Sequence, residues 1–173
     1  AGKNLAAGPH VLAGYWQEEN KMGVELRKMT QNDIFFVVEQ RMDLLRQISG
    51  ERMTEEFQEE TVHYLQKHIA DQSCVGYVAV DGRKIVSVAM ICMYEVMPRL
   101  CNVTGKTGYV FNLVTQPEYR KQGLATKLLE TLFEEVKAKG VKQLFLNSEP
   151  AAINLYRRLG FQMVDREMVL NFE

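Results

Sequence analysis

The amino-acid sequence predicts an α/β fold built as one domain. From residue 23 onward, runs with helical apolar spacing and runs rich in β-branched residues follow one another in the order β-α-α-β-β-β-α-β-α-β. This part of the chain contains no internal repeat, no low-complexity tract and no linker rich in Pro or Ser. The chain has 173 residues, close to the size of one typical domain, and its 46% apolar and 25% charged residues are ordinary for a globular protein.

Residues 1–22 differ from the rest of the chain in their irregular pattern. They show neither helical nor strand periodicity, and their apolar stretch VLAGYW is too short for the core of a signal peptide. Met22 followed by Gly23 resembles a native start. We therefore expect residues 1–22 to be a leader or a disordered arm and residues 23–173 to form the folded domain, with a genuine N-terminal extension as the alternative.

The first part of the domain predicts a strand followed by a helix. The run VELRKM (24–29) reads as a short strand. Thr30 and Asp33 then have the spacing of a capping box in front of the helical run IFFVVEQRMDLLRQI. Gly50 follows this run and is a typical helix stop, so the helix is expected to end at residues 49–50.

A second helix is predicted from Thr54 to about Ile69. Thr54 is a typical N-cap residue, and the glutamates that follow it suit the positive end of a helix dipole. One face of this helix carries Phe57, Thr61, Tyr64, Leu65 and His68. We expect His68 to be a packed or partly exposed helix residue, because no second ligand stands at metal-binding spacing beside it.

The middle of the chain predicts three strands. The runs CVGYVAV (74–80) and KIVSVAMICMYEV (84–96) are rich in β-branched residues and are separated by DGR, a hairpin-turn sequence. They therefore form an antiparallel pair. The run TGYVFNLVTQ (107–116) predicts a third strand.

The last part of the domain alternates helices and strands. A helix is predicted over residues 124–139, with an apolar stripe formed by Leu124, Leu128, Leu132 and Val136. The run KQLFLNS (142–148) predicts a buried strand, and PAAINLYRRLG (150–160) predicts a helix with Pro in its first turn. Alternating apolar residues at 168, 170 and 172 predict a closing strand.

The composition narrows the function classes. A formal net charge of -1 gives the chain no overall basic footprint for nucleic acid, and no run approaches the ~20 apolar residues of a membrane span. Cys74, Cys92 and Cys101 form no CxxC pair and lie in or beside apolar runs, so we expect reduced thiols and a cytoplasmic protein. We expect no bound metal, no nucleic acid and no membrane partner.

The stretch QPEYRKQGLATKLL (116–129) joins a predicted strand to a predicted helix. Such a junction exposes backbone N–H groups and the positive end of the helix dipole, which together favour an anion. Gly123 lets an anion approach closely, while Arg120 and Lys121 add positive charge. The alternative is a plain connecting loop with solvated cations, and the spacing of the whole string favours the anion site.

This string resembles motif A of the GNAT superfamily of acyl-CoA-dependent N-acetyltransferases, whose signature is R/Q-x-x-G-x-G/A. Residues 120–125, RKQGLA, supply that signature. The run AINLYRRLGF (152–161) resembles the second hallmark of the family, A-x-x-L-Y-x-x-x-G-F. The resemblance in element order covers residues 23–172, and it implies a mixed, mainly antiparallel sheet flanked by helices, with a splayed central strand pair that holds CoA.

The resemblance also implies which residues bind acetyl-CoA. The backbone amides that wrap the pyrophosphate would be those of Lys121, Gln122, Gly123, Leu124, Ala125 and Thr126, with Arg120 opening the turn. The backbone of Leu113, Val114 and Thr115 would pair with pantetheine as if with another strand.

Two catalytic roles follow from the same resemblance. The amide of Leu113 would polarise the thioester carbonyl, as a minimal oxyanion site. Tyr156 would bind at the CoA sulfur and protonate the departing thiolate. The alternative for Tyr156 is an amphipathic aromatic that packs on a helix.

Two positions depart from the pattern of the family. Glu149 stands where an Asn often contacts pantetheine or substrate, with Asn147 and Ser148 just upstream. Tyr109 stands where several members carry a Glu that acts as general base. The base is therefore unassigned: Tyr109 or Glu95 acting through water, or selection of the neutral amine by the enzyme.

The function that the resemblance implies is transfer of an acetyl group from acetyl-CoA to an amine by direct attack in a ternary complex. We favour a small-molecule amine as the acceptor. The alternatives are a protein N-terminus or lysine, and a non-catalytic acyl-CoA-binding sensor domain. The acidic run TEEFQEE (54–60) is most simply a solvated helix start, but the first two helices of the family often wall the acceptor site and could present carboxylates to a cationic amine. A homodimer is compatible with the sequence but does not follow from it.

Overall fold

The structure is a computed structural model, and it describes residues 23–50, 52–164 and 170. Five strands form one sheet in sequential order, with the first four antiparallel and the last pair parallel. The strands are β1 (Val24–Lys28), β2 (Cys74–Asp81), β3 (Lys84–Glu95), β4 (Lys106–Thr115) and β5 (Gln143–Phe145). The predicted fold class, a mixed and mainly antiparallel sheet flanked by helices, is confirmed.

The helices begin and end close to the predicted residues. They are α1 (Ile34–Ser49), α2 (Glu55–Ala70), α3 (Leu124–Ala138) and α4 (Ile153–Arg158). Thr54 caps α2 by accepting a hydrogen bond from the backbone of Phe57 at 3.2 Å, and Gly50 ends α1 in the left-handed region with φ 69°. Within the described residues, none of these helices has the length and apolarity needed to cross a membrane.

The sheet separates two apolar clusters, one on each face. Helices α1 and α2 cover the first face, where Val37, Met42 and Leu65 pack on Val78 and Met90. The second face is covered by α3, whose predicted stripe of Leu124, Leu128, Leu132 and Val136 is buried against strands β2, β3 and β4. The protein is therefore a three-layer α/β domain, and both faces of the central strands are buried.

Strand β5 corrects one expectation. The run 142–148 was expected to be a buried strand, but only Gln143–Phe145 pair with Thr107–Tyr109 of β4, and all three are half-buried. The strand is shorter than the apolar run because its pairing with β4 stops at Phe145. Strand β4 itself continues six residues beyond that point, to Thr115. In the described part of the chain, β4 and β5 therefore splay apart beyond Tyr109. The predicted closing strand, residues 168–172, lies outside the described residues apart from Leu170.

Candidate functional site

The predicted anion loop connects β4 to α3. A 3-10 turn at Pro117–Tyr119 follows β4, and α3 begins directly after Gly123. Lys121 and Gly123 both lie in the left-handed region, with φ of 61° and 80°. Left-handed residues beside ordinary ones turn successive N–H groups into a concave anion site. A Cβ added to Gly123 would meet no atom of the described residues within 4 Å, so in this part of the chain nothing fills the space before the N-terminus of α3.

Side chains hold this loop against the sheet. Arg120 donates from Nε to the carbonyl oxygen of Thr115 at 3.0 Å, which ties the loop to the last residue of β4. Tyr119 donates its hydroxyl to Asp81 at 2.6 Å, at the turn of the β2–β3 hairpin. The guanidinium of Arg120 therefore fixes the start of the turn, while Lys121 is exposed beside the open space.

Strand β4 contains a bulge at Asn112. Val114 lies opposite Val88, and Phe111 lies opposite Met90, so three steps along β4 match two along β3. Asn112 has φ 54°, which a bulge allows and Asn tolerates better than most residues. The extra residue shifts the alternation of side chains, and the consecutive residues Phe111 and Asn112 both line a cavity on the face covered by α1 and α2.

The bulge is followed by an open backbone edge. Gln116 donates its amide to Val86 of β3 at 2.9 Å. Because peptide groups alternate along a strand, Val114 also turns its amide toward β3, while Leu113 and Thr115 turn theirs away. On that side β5 has already ended, so within the described ranges no strand borders Leu113 or Thr115. Leu113 and Thr115 thus have the geometry that pairing with an extended ligand requires, and Val114 uses its backbone within the sheet.

Tyr156 lies on α4 and belongs to the same apolar cluster as Leu113. It is only 8% exposed, and its ring meets Phe161 edge-on at 5.7 Å between centroids. Burial raises the pKa of the Tyr156 phenol above its usual value, so the hydroxyl stays protonated at neutral pH. Tyr156 also lines a cavity of about 370 Å³ together with Asn147 and Ser148. The two positions upstream of Glu149 are therefore close to the predicted proton donor.

A larger cavity lies on the opposite face, between helices α1 and α2 and strands β3 and β4. Its volume is about 540 Å³, which is in the range of small-molecule sites. Its polar and aromatic wall includes Arg41, Glu60, Tyr64, Tyr109, Phe111 and Asn112. No group of three His, Cys, Asp or Glu side chains in the described segments is arranged to hold a metal ion.

The groups considered for removing a proton from the amine differ in whether they line the larger cavity. Tyr109 lines the larger cavity, whereas Glu95 lies at the exposed end of β3, outside it. Glu60 also lines the cavity, although the simplest interpretation of its acidic run was a solvated helix start. The signal in the sequence was its spacing, because Glu60 follows Phe57 by three residues and precedes Tyr64 by four, which places all three on one face of α2.

Most of the predicted site residues lie along β4 and in the loop that follows it. The loop 120–126 follows the C-terminal end of the strand, the open edge at Leu113 comes next, and Tyr109 and Asn112 line the larger cavity further along. Tyr156 lies on the other face of the sheet, in the cluster that contains the Leu113 side chain. An extended ligand with an anionic end can therefore lie from the N-terminus of α3 to the mouth of the cavity.

Comparison with known proteins gives the family. Residues 42–161 match the model of the acetyltransferase (GNAT) family. The chain is 35% identical over 89 residues to N-alpha-acetyltransferase 30 of Schizosaccharomyces pombe, a match that covers 50% of this chain and 56% of that protein. It is 46% identical over 55 residues to the ribosomal protein bS18-alanine N-acetyltransferase of Escherichia coli, covering 30% of this chain and 37% of that protein. The chain thus spans about half or less of the length of these curated relatives.

A solved structure supports the same assignment. The crystal structure of a predicted acetyltransferase with acetyl-CoA from Clostridium acetobutylicum superposes with a TM-score of 0.80 at 28% identity. The match covers 86% of this chain and 96% of that one. The family model also covers most of the chain, including both motifs, the bulged strand and α3. This chain belongs to the acetyltransferase (GNAT) family.

Proposed function

We propose that this protein transfers the acetyl group of acetyl-CoA to a small-molecule amine by direct attack in a ternary complex. The observation that carries the proposal is the open edge of β4, which leads from the loop at α3 to the 540 Å³ cavity. A thioester whose pyrophosphate is bound at α3 would lie along this edge, with its acetyl group at the cavity. The acceptor can then approach from the other side without a covalent enzyme intermediate.

The loop and the edge provide the cofactor contacts. Backbone amides from Lys121 to Thr126 would bind the pyrophosphate, helped by the dipole of α3 and by the charge of Lys121. Leu113 and Thr115 would pair with the pantetheine amides through their outward backbone groups. The amide of Leu113 would donate to the thioester oxygen and stabilise the negative charge that develops there, at a site already formed by the bulge.

Tyr156 would supply the proton for the leaving group. The amine nitrogen forms a bond to the carbonyl carbon, the carbon–sulfur bond breaks, and the thiolate takes the phenolic proton to give free CoA thiol. The raised pKa of Tyr156 keeps the phenol in the protonated form that this step needs. The phenolate then takes up the proton that the attacking nitrogen loses as it becomes an amide.

The cavity would handle the charge of the incoming amine. An alkyl amine with a pKa near ~10.4 is almost fully protonated at pH 7, and it must lose a proton before it attacks. The Glu60 carboxylate would attract the ammonium form into the cavity. The proton would then leave through water near Tyr109, or the enzyme would bind the small neutral fraction, because a phenol is a poor direct base at neutral pH.

A protein N-terminus is the second candidate acceptor. Two relatives carry the names N-alpha-acetyltransferase 30 and ribosomal protein bS18-alanine N-acetyltransferase. The cavity favours the small molecule, because its volume of about 540 Å³ suits a compact ligand. We also propose a cytoplasmic location, which suits the free cysteines Cys74, Cys92 and Cys101.

A panel assay separates these functions. The protein would be incubated with acetyl-CoA and, in turn, with polyamines, aminoglycosides, amino acids and peptides, while release of free thiol is followed. Thiol release that depends on a small amine supports the proposal, and release only with peptides makes a protein terminus or lysine the acceptor. Tight binding of acetyl-CoA without turnover of any amine identifies a sensor domain.

A further inference from the structure

Arg41 brings a cation into the larger cavity, and no carboxylate of the described residues forms an ion pair with it. It projects from α1, is half-buried, and lies with its guanidinium carbon 5.9 Å from the centroid of the Phe111 ring. The ion pairs found among the described residues involve other cations, and Glu60, on the same cavity wall, is not within ion-pair distance of Arg41. Burial lowers the pKa of the Arg41 guanidinium, and Tyr64 opposes this shift only in part.

Asn112 places a second unsatisfied group in the same cavity. It is 5% exposed, and its Oδ1 atom has no hydrogen-bond partner within the described ranges. Its Nδ2 atom makes only a 4.0 Å contact with the sulfur of Met90. The bulge holds Asn112 in this place with φ 54°. A buried amide oxygen without a donor is unfavourable until a ligand provides an N–H or O–H group.

We propose that the acceptor is an amine that also carries an acidic group, a carboxylate or a phosphate, and that Arg41 binds this acidic group. The proposal rests on the proposed function, because it takes this cavity to be the acceptor site. Asn112 accepts a hydrogen bond from a donor group of the same molecule.

The charges of the cavity fit such a molecule in one orientation. Arg41 lies on α1 and Glu60 lies on α2, so the described residues that line the cavity place a cation and an anion on separate helices. The acidic group pairs with Arg41, and Glu60 attracts the ammonium group. The reverse orientation places like charges together and is disfavoured. An amine without an acidic group leaves Arg41 without its partner.

Matched acceptors that differ only in the acidic group test the proposal. We would compare γ-aminobutyrate with aminobutanol, and glucosamine 6-phosphate with glucosamine. The wild-type protein should prefer the acidic member of at least one pair by roughly 10- to 100-fold in kcat/KM, the range of a charge-assisted hydrogen bond. The pair with the larger preference tells whether the acid is a carboxylate or a phosphate.

Arg41→Met tests the residue. This change keeps an unbranched side chain and removes the charge, so the preference should fall to about one. The control is Arg46→Met, on the same helix, where the arginine is exposed and paired with Asp43 at 2.6 Å. It should keep the preference of the wild type. Equal preference ratios in the wild type and in Arg41→Met, or faster acetylation of peptides than of either acidic amine, would overturn the proposal.

A binding measurement keeps the test independent of turnover. With the cofactor site saturated by CoA, inorganic phosphate and acetate are titrated into the wild type and into Arg41→Met, and binding is followed by NMR. The site is supported if the wild type binds either anion and Arg41→Met binds it at least tenfold more weakly. Equal binding to both proteins, or binding to neither, overturns it. If acetyl-CoA binds and no amine reacts, the proposed function fails, and the anion titration still decides whether Arg41 forms an acid-binding site.

Discussion

Replacing Gly123 with glutamate tests the pyrophosphate loop. Gly123 stands directly before α3 with φ 80°, and a Cβ there would meet no atom within 4 Å among the residues that the structure describes. The protein itself therefore has room for a side chain at this position. That side chain would, however, occupy the space before the helix N-terminus where we place the pyrophosphate. We expect Gly123→Glu to bind acetyl-CoA far more weakly while the chain stays folded.

The size of the effect follows from the backbone and the charge. A left-handed conformation costs a residue with a Cβ about 1–2 kcal/mol. For a domain of this size that lowers Tm by roughly 2–8 °C, which a folded protein survives. A carboxylate about 4 Å from a phosphate adds repulsion of about 1–4 kcal/mol, depending on the local dielectric. The repulsion alone corresponds to a loss of affinity of roughly 5- to 1000-fold.

Calorimetry with acetyl-CoA measures this loss, and two variants serve as controls. Gly123→Ala has the same backbone strain without the charge, so it should lose less affinity. Gly50→Glu adds the same charge in an open left-handed position at the end of α1, where φ is 69°, and it should bind normally. A folded Gly123→Glu protein with the affinity of the wild type would refute the loop as the pyrophosphate site.

Three further predictions concern the phenol, the cavity carboxylate and the fold. Tyr156→Phe should lower kcat by roughly 10²-fold at unchanged affinity for acetyl-CoA. Because burial raises the pKa of the phenol, the wild-type rate should show no loss from this group below about pH 10. Equal kcat in both proteins would leave Tyr156 with a packing role alone. Glu60→Gln should raise the acceptor KM by up to roughly fivefold, the effect of losing an exposed ion pair. In this variant kcat/KM should still rise with pH toward the pKa of the acceptor. If the wild-type pH profile instead shows an inflection that is independent of the acceptor and disappears in the variant, Glu60 is the base. Asp33→Asn should reduce the free energy of unfolding at pH 7 by roughly 1–3 kcal/mol, because Arg27 and Thr30 donate to this buried carboxylate. Arg27 lowers the pKa of Asp33, so the stability that the Asp33 carboxylate provides is present above its unfolded pKa near ~3.9 and is lost as pH falls through the folded pKa. A difference in urea stability between the wild type and Asp33→Asn that does not change with pH would contradict this.

Most of the fold could be predicted because its elements carry local signals. Thr54 accepts the capping bond that its position predicts, and Gly82 and Arg83 of the DGR sequence form a two-residue hairpin turn with Gly82 at φ 60°. Strand β5 was expected to be longer and more buried, because an apolar run does not reveal where pairing with its neighbour ends. The bulge at Asn112 was also missed, since it depends on register between β3 and β4 rather than on the residues of β4 alone.

The candidate site was predictable where it depends on backbone and local motifs. The anion loop follows from a strand that leads into a helix, and the exposed backbone at Leu113 follows from the resemblance to the family. Arg41 was not assigned a role, and Glu60 was considered only as part of the acidic run 54–60, because each is one polar residue among several on an amphipathic helix. Which of those residues faces a cavity depends on the gap that α1 and α2 leave above β4, and that gap is a property of tertiary packing.

The central claim is direct acetyl transfer from acetyl-CoA to an amine, and mass spectrometry after mixing tests it most directly. The protein is incubated with acetyl-CoA alone, with an amine alone, and with both, and the masses of the intact protein and of the amine are measured. We predict an N-acetylated amine and free CoA only when both substrates are present, with the protein at its unmodified mass throughout. An acetylated protein that forms from acetyl-CoA alone and then passes its acetyl group to the amine would contradict direct attack, and bound acetyl-CoA without any acetylated amine would contradict catalysis.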